Sequence, residues 1–293
     1  MNESERLKES NISKWISEKI RNYVNSSPQN ILGGKYNEKA WGEPLVGFSM
    51  GDDSLYYKIK EDIGDFYWTP IEIFLRTYPE SKAMPSELAI ICWALPQTEL
   101  TKADMRQEKY YPAERATLSR INGDIFNKNV GKYVVELLNK SGYEAVAPIQ
   151  SPFWENKKSE KYGFASNWSE RHAAFISGLG TFSLTDTLIT SVGTAVRIGS
   201  VVARISIDPT KRNYDRYNEY CLYYSNIHCK KCIERCPASA ISISGHDKNK
   251  CLEYQREVTG KYIKQHYNID SRYCGLCQFN VPCESCIPLK SKA

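Results

Sequence analysis

Cysteine is almost missing from the first 220 residues of this 293-residue chain. Cys92 stands alone there, inside the apolar run LAIICWALP, and a thiol in such surroundings reads as a small buried hydrophobe. The chain has no apolar stretch of the ~18 residues that a membrane-spanning helix needs. Its nearest approaches, Leu88–Pro96 and Val192–Ile207, are short or broken by polar residues. The first ten residues, MNESERLKES, contain neither a hydrophobic signal core nor a twin-arginine pair, so export is not expected and a cytoplasmic location is. Charge of one sign is also scarce. The net charge of +5, from 39 basic and 34 acidic side chains, is too weak over this length to demand a nucleic-acid partner. No repeat at solenoid periods is present. Nor is there a G-x-x-x-x-G-K-[ST], G-x-S-x-G or H-E-x-x-H motif, which removes the P-loop, nucleophile-elbow and zincin chemistries.

What is present suffices for a folded α/β or α+β protein. Apolar residues make up 41%, with 20 Tyr, 9 Phe and 6 Trp, which excludes disorder as a global description. The length suggests about two domains. Apolar positions in Glu5–Val24 recur every three or four residues and predict an amphipathic helix. Leu45–Met50 and Leu88–Leu95 predict buried strands. Pro112 to about Leu138 predicts one or two helices, Glu144–Ile149 a strand, and Asn156–Lys161 a charged solvated loop. Ser169–Ser177 predicts a helix with Ser169 as N-cap, stopped by Gly178. Leu188–Thr190 and Val196–Ile207 predict strands. The aromatic group Phe66–Pro70 is expected in the core. After Asp208-Pro209 the composition changes, and Lys211–Tyr220 reads as a polar, Tyr-rich link. The expected division is residues 1–210 and 211–293.

Nine of the ten cysteines lie between Cys221 and Cys286. In an unexported chain such crowding points to metal rather than disulfides. The run Cys229-x2-Cys232-x3-Cys236-Pro237 matches the end of the bacterial ferredoxin run C-x2-C-x2-C-x3-C-P, in which the cysteine before proline serves a second cluster. Pro237 is expected in the first turn of a helix continued by ASAIS. Four-cysteine zinc sites are the alternative. The third cysteine at x3 before proline, and a total of eight once Cys251 and Cys283 are counted, favour two 4Fe–4S cubanes. The crossed ferredoxin arrangement assigns Cys221, Cys229, Cys232 and Cys283 to one and Cys236, Cys251, Cys274 and Cys277 to the other. Two points stay open. Cys221 stands five residues before Asn226, where the usual run would place the first ligand. Cys286 competes with Cys283 for the last corner and is otherwise left over. His228 and His246, among the cysteines, read as sulfur-bonding or turn residues.

This cysteine pattern, with GHDKNKC ending at Cys251, resembles the double-cluster region of epoxyqueuosine reductases and reductive dehalogenases. The segment Ser169–Thr190 (SERHAAFISGLGTFSLTDTLIT) resembles the ER-x6-GLG segment of that superfamily, and Tyr111–Pro148 resembles its N-terminal helical region. The likeness spans about Tyr111 to Pro288 and is nearest to a short cytosolic epoxyqueuosine reductase-like branch. It implies an α+β fold, a nitroreductase-like domain holding a base-off cobalamin, followed by a ferredoxin-like domain with two 4Fe–4S clusters that feed electrons to the corrinoid. Gly178, Gly180 and Gly199 would allow close backbone approach of the corrin. Thr181, Phe182, Ser183, Thr190 and Ser200 would contact it, and Arg197 would meet its phosphate; helix termination, capping and solvation are the ordinary roles open to the same residues.

Epoxyqueuosine reductases carry an Asp six residues before the Glu-Arg pair. Here that position is Phe164, which cannot donate a proton. The resemblance to dehalogenases turns the proton donor to Tyr162, with Arg171 or His172 beside it in sequence. Their structural alternatives are a surface tyrosine, a helix-face histidine and a Glu170-Arg171 structural pair. The expected activity is reduction of a small-molecule substrate in an anaerobic or micro-aerobic cytoplasm, with a ferredoxin or flavodoxin as electron donor. The resemblance admits a tRNA substrate, to which the net charge lends nothing further. A non-enzymatic electron carrier and a cobalamin-free reductase using flavin are the competing readings.

Overall fold

The computed structural model describes residues 12–289. The alternation along two long apolar strands organises the molecule. The helices are α1 (Ile12–Ser26), α2 (Ser54–Ile63), α3 (Pro70–Thr77), α4 (Glu99–Gln107), α5 (Glu114–Lys140), α6 (Glu170–Ile176), α7 (Lys231–Glu234), α8 (Lys248–Tyr254) and α9 (Gly260–Tyr267). The strands are β1 (Leu45–Met50), β2 (Leu88–Pro96), β3 (Ala145–Val146), β4 (Asn156–Ser159), β5 (Gly163–Ser166), β6 (Gly180–Phe182), β7 (Leu188–Thr190), β8 (Val196–Arg204), β9 (Ile241–Ser242) and β10 (Gly245–His246).

The central sheet has the order β1-β2-β8-β3 and is antiparallel at every pairing. Successive side chains of a strand leave opposite faces, and β2 shows it. Ala89, Ile91, Trp93 and Leu95 pack under α1 and α5. Leu88, Ile90, Cys92 and Ala94 pack on the other face with Tyr56, Phe74, Phe175 and Ile176 from α2, α3 and α6. Both faces are therefore covered, which explains why β2 reads as one continuous apolar run. The periodicity of α1 is equally direct: Ile12, Ile16, Ile20 and Val24 are its buried apolar residues. The part of the predicted helix before Ile12 lies outside the described residues. No helix among the described residues is long and apolar enough to cross a membrane.

Four expectations need correction. The charged stretch Asn156–Lys161 is not simply a loop, because β4 pairs with β5 in a hairpin and Ser159 is buried with its hydroxyl donating to the Ile63 carbonyl. The strand expected over Glu144–Ile149 is only Ala145–Val146, since Pro148 opens a 3-10 turn. Pro237 does not begin a helix; α7 ends before it, and the chain turns into β9. The Tyr-rich link is packed rather than free, with Tyr214 buried, its hydroxyl donating to the Phe175 carbonyl and its ring stacked on Phe175.

Candidate functional site

The cysteine-bearing end docks on the sheet through side chains from both parts. Arg235 donates to the carbonyls of Met105, Glu108 and Phe279. The buried carboxylate of Glu284 takes Arg106 at 2.5 Å and the backbone N–H of Asn280 at 2.9 Å. Met105, Ala113, Ala116, Ala195, Leu276 and Phe279 form a small apolar core beneath these bonds. A closer tie lies at the turn between β7 and β8. Thr194 N–H donates to the Cys283 carbonyl and Ala195 N–H to that of Glu284. Gly193, at φ +86°, lies so near that a Cβ there would meet the Glu284 carbonyl oxygen at 2.1 Å. Only glycine serves at such a place.

All ten cysteines are free thiols. Their mutual electrostatics sort eight of them into two sets. Burial and then the neighbouring charges of Cys221 and Cys229 push Cys232 up to about 11. Burial, Cys221 and Cys232, with Cys229 further off, push Cys283 up to about 12. In the second set, burial followed by Cys251 and Cys236 pushes Cys274 up to about 12. Cys277 rises well above the usual range through burial, Cys274, Cys236 and Cys251. The sets touch, for Cys232 also raises Cys277, and a cavity is lined by Cys221, Cys229, Cys232, Cys277 and Cys283.

Donors surround these sulfurs. Backbone amides of Leu184, Tyr223 and Tyr224 favour the Cys221 thiolate, and those of Leu276 and Ile233 favour Cys274 and Cys232. Ala240 N–H points to Cys236 Sγ at 3.3 Å, and Gln255 Nε2 donates to Cys251 Sγ at 3.2 Å. His246 meets Asp186 through Nδ1 at 3.3 Å, while its Nε2 is buried without a hydrogen bond and is close in charge to Cys251; His228 occupies a turn at φ +48°. Cys286 is exposed and stands outside both sets. Among the described residues, no three His, Cys, Asp or Glu side chains are gathered to hold a single metal ion.

The donor set suits iron–sulfur clusters: eight thiols in two neighbouring groups, with N–H donors aimed at sulfur to stabilise its negative charge.

Solvent reaches the Arg171 side chain, yet loss of hydration is the largest influence on its pKa and lowers it, followed by the charge of Arg197. Tyr217, Asp186 and Cys277 lie within electrostatic reach of it. Arg120 of α5 is pushed down to about 10 by burial and then by Arg197. Burial likewise lowers Arg197. Asp124 pairs with both Arg120 and Arg197. Tyr273, next to Cys274, is close in charge to Arg120 and Arg197.

The Glu170-Arg171 pair, left open by the sequence as a structural alternative, is not made among the described residues. Glu170 accepts from the Ser200 hydroxyl, and burial pushes it up to about 8. Its other oxygen, Oε1, is buried without a hydrogen bond. His172 is held neutral, pushed down to about 4 by burial and then by the charges of Arg171 and Lys248. Its Nε2 meets the Tyr217 hydroxyl at 3.3 Å and its Nδ1 meets Ser169 Oγ at 2.9 Å. Tyr162 lies on the β4–β5 turn, 41% exposed, with its hydroxyl donating to Asp62 at 2.6 Å. The ammonium of Lys248, from the start of α8, stands 5.9 Å from its ring and donates to the Phe164 carbonyl.

Each residue expected to hold the corrin has a partner inside the protein. A Cβ on Gly178 would meet Thr210, on Gly180 the Ile189 and Thr190 backbone, and on Gly199 the Trp93 indole. Thr181 Oγ1 accepts from Tyr220 N–H at 2.9 Å. Phe182 stacks on Tyr217 at 4.3 Å. Ser183 bonds Thr185 and Thr187, and Thr190 donates to the Gly193 carbonyl. Ser200 accepts from Trp168 and donates to Glu170, and Arg197 is held by Asp124. None of these residues presents an unpartnered group to a corrin. Sequence reasoning missed Arg120 and Asp124, an i,i+4 pair on α5, and Tyr217 and Tyr273, which lie outside helices and strands.

No protein-family model and no curated protein match this sequence. Solved structures do. A catabolic reductive dehalogenase is similar at 15% identity and a TM-score of 0.52, over 82% of this chain and 30% of its own. A second reductive dehalogenase, whose description concerns B12-dependent dehalogenation, is similar at 14% identity and a TM-score of 0.49, over 80% and 29%. The epoxyqueuosine reductase of Bacillus subtilis is similar at 17% identity and a TM-score of 0.44, over 93% and 66%. The chain thus spans 66% of the reductase's length and less than a third of either dehalogenase's. The likeness to the first of these is one of fold: over the part compared, the chain is built like a reductive dehalogenase.

Proposed function

We propose that the chain is an iron–sulfur oxidoreductase in which residues 211–293 carry two 4Fe–4S clusters and residues 1–210 present the site where a substrate is reduced. The observation that carries this reading is the sorting of eight thiols into two adjoining sets of four, with Cys236 in the set opposite to Cys232. Cys221, Cys229, Cys232 and Cys283 would ligate one cluster, and Cys236, Cys251, Cys274 and Cys277 the other. Cys277 is in electrostatic reach of Arg171, so the second cluster would be the one beside the substrate site. Low-potential clusters, which reach about −700 mV, suit a difficult reduction.

The resemblance of Ser169–Thr190 supports a base-off cobalamin as the electron acceptor; when bound it would supply a strongly reducing metal centre. The internal partners of Gly178, Gly180, Gly199 and the surrounding hydroxyls give that cofactor no direct holding group, so no step is derived through it. That same observation favours a second reading, a reductase whose site takes flavin or substrate directly. In either case Tyr162, Arg171 and His172 flank the space in which a proton would be delivered. A small-molecule substrate, a ferredoxin or flavodoxin donor and an oxygen-poor cytoplasm complete the proposal.

Anaerobic metal and cofactor analysis of the folded protein tests it. About eight irons per chain are expected for two cubanes. Cobalt with a base-off cob(II)alamin EPR signal supports the corrinoid form, and tight flavin the other. Colourless protein loaded with zinc would overturn the iron–sulfur reading.

A further inference from the structure

Four hydroxyls touch one another beside the first set of thiols. Ser183 Oγ lies 2.8 Å from Thr185 Oγ1 and 2.9 Å from Thr187 Oγ1, Thr185 lies 2.8 Å from Thr187, and Thr187 lies 2.6 Å from Thr194. All four residues are buried. Ser183, Thr185 and Thr194 line the same cavity as Cys221, Cys229, Cys232 and Cys283. Thr194 is tied to that set by its backbone, whose N–H donates to the Cys283 carbonyl at 2.8 Å. Leu184, between Ser183 and Thr185, belongs to the apolar group around Cys221. The other polar side chains at the cavity are engaged elsewhere: the Tyr223 hydroxyl donates to the Ile243 carbonyl, and Lys231 pairs with Glu234.

A hydroxyl has one proton to give and two lone pairs to offer. Four protons meet four oxygen–oxygen contacts here, so all are used if every contact is a hydrogen bond. Either direction round the Ser183–Thr185–Thr187 triangle achieves this, with Thr194 donating to Thr187. A further arrangement runs as a chain from Ser183 to Thr185 to Thr187 to Thr194. It forgoes only the Ser183–Thr187 bond and frees the Thr194 proton, which has no acceptor other than Thr187 among the described residues. Negative sulfur in the cavity selects the chain. A hydrogen bond to a charged acceptor is roughly twice as strong as a neutral one, and a chain of hydroxyls polarises its last member.

We propose that Thr194 sets the potential of the first cluster: its hydroxyl, last in the chain from Ser183 through Thr185 and Thr187, donates to sulfur of the Cys221–Cys229–Cys232–Cys283 centre. Hydrogen bonds to sulfur are among the levers on an iron–sulfur potential. They favour the reduced state, which carries the greater negative charge, so the hydroxyl makes this cluster easier to reduce. The inference deepens the proposed function and rests on it for iron in that cavity.

The test uses the full chain, reconstituted with iron and sulfide under anaerobic conditions. Iron content and EPR-monitored redox titrations are compared for the wild type, Thr194→Val, Thr194→Ser and Thr187→Val. The first cluster's signal is the one that Cys232→Ser removes. Thr194→Val is expected to keep its iron and to make the first cluster about tenfold harder to reduce, a fall of about 59 mV for one electron. Thr194→Ser keeps the hydroxyl and is expected to keep the wild-type potential. Thr187→Val leaves Thr194 its proton but removes the chain behind it, so a smaller fall is expected. The second cluster's potential is expected to stay unchanged in all three. An unshifted first cluster in Thr194→Val, or a fall that Thr194→Ser shares, overturns the inference while the loaded clusters leave the reductase reading standing. Where Thr194→Val fails to load the first cluster, Thr187→Val decides, and a wild-type potential there overturns the inference. Wild-type protein with no reducible cluster overturns both.

Discussion

Cys232 and Cys236 are separated by only three residues, yet they belong to different sets of thiols. Cys232 is raised by Cys221 and Cys229, while Cys236 raises Cys274 and Cys277. Cys232 on α7 and Cys236, two residues past its end, thus reach toward different groups. Replacing either cysteine by serine is expected to remove one cluster and leave the other, lowering iron from about eight to about four per chain. The two variants should lose different EPR signals. Loss of all iron in both, or of the same signal, would contradict the crossed assignment.

Cys283 and Cys286 can be told apart in the same way. Cys283 sits at the cavity with Cys221, Cys229 and Cys232, whereas Cys286 is exposed. Cys286→Ser is expected to keep full iron content and Cys283→Ser to lose about half of it, as read by iron analysis and absorbance after anaerobic reconstitution.

Gly193→Ala tests the link between the sheet and the clusters. The added methyl would fall on the Glu284 carbonyl, and φ +86° disfavours any side chain. The neighbouring Cys283 should be displaced. Iron attributable to the first set is expected to fall while the second set is retained. Retention of both clusters would mean that the Cys283 seat does not depend on this contact.

Glu170 provides a pH prediction. Burial raises it from an ordinary value of 4.5 to about 8. Between those values the folded chain keeps a proton that the unfolded chain releases, so stability is greatest below pH 4.5 for this group and declines as pH rises toward 8. Above that, the loss stops growing. Glu170→Gln is expected to flatten the decline: urea midpoints of wild type and variant, compared at pH 6 and pH 9, should show the variant gaining relative stability at the higher pH. A difference that does not change with pH would place Glu170 in water as an ordinary carboxylate.

The sequence made the sheet legible where one signal dominated. The apolar runs that became β1, β2 and β8 had no other way to be buried, and Ser169 announced α6 by its cap. The helix α3 had its own announcement in Thr69-Pro70-Ile71-Glu72, a capping box with proline at its start, and Asp53 and Thr98 cap α2 and α4; these signals lay outside the predicted elements. Lys248–Tyr267 was harder, because α8 and α9 are joined through a π-helical stretch, Gln255–Thr259, that breaks the 3.6-residue period. Cysteine spacing implied the two sets of thiols because ligands of one centre cluster along the chain. The grouping of Arg120, Arg171, Arg197 and Tyr273 did not show, since the four are far apart in sequence and only the fold brings their charges together.

With the proposed clusters in place, the contact of Gly193 with the Cys283–Glu284 backbone would also set an order of events during biogenesis. The first set of thiols draws three members from one short stretch and its fourth from a segment that rests on the β7–β8 turn. Iron delivered before the sheet has formed would find an incomplete receptacle for that cube. Maturation of the metal centres should therefore follow, rather than guide, the folding of the upstream half.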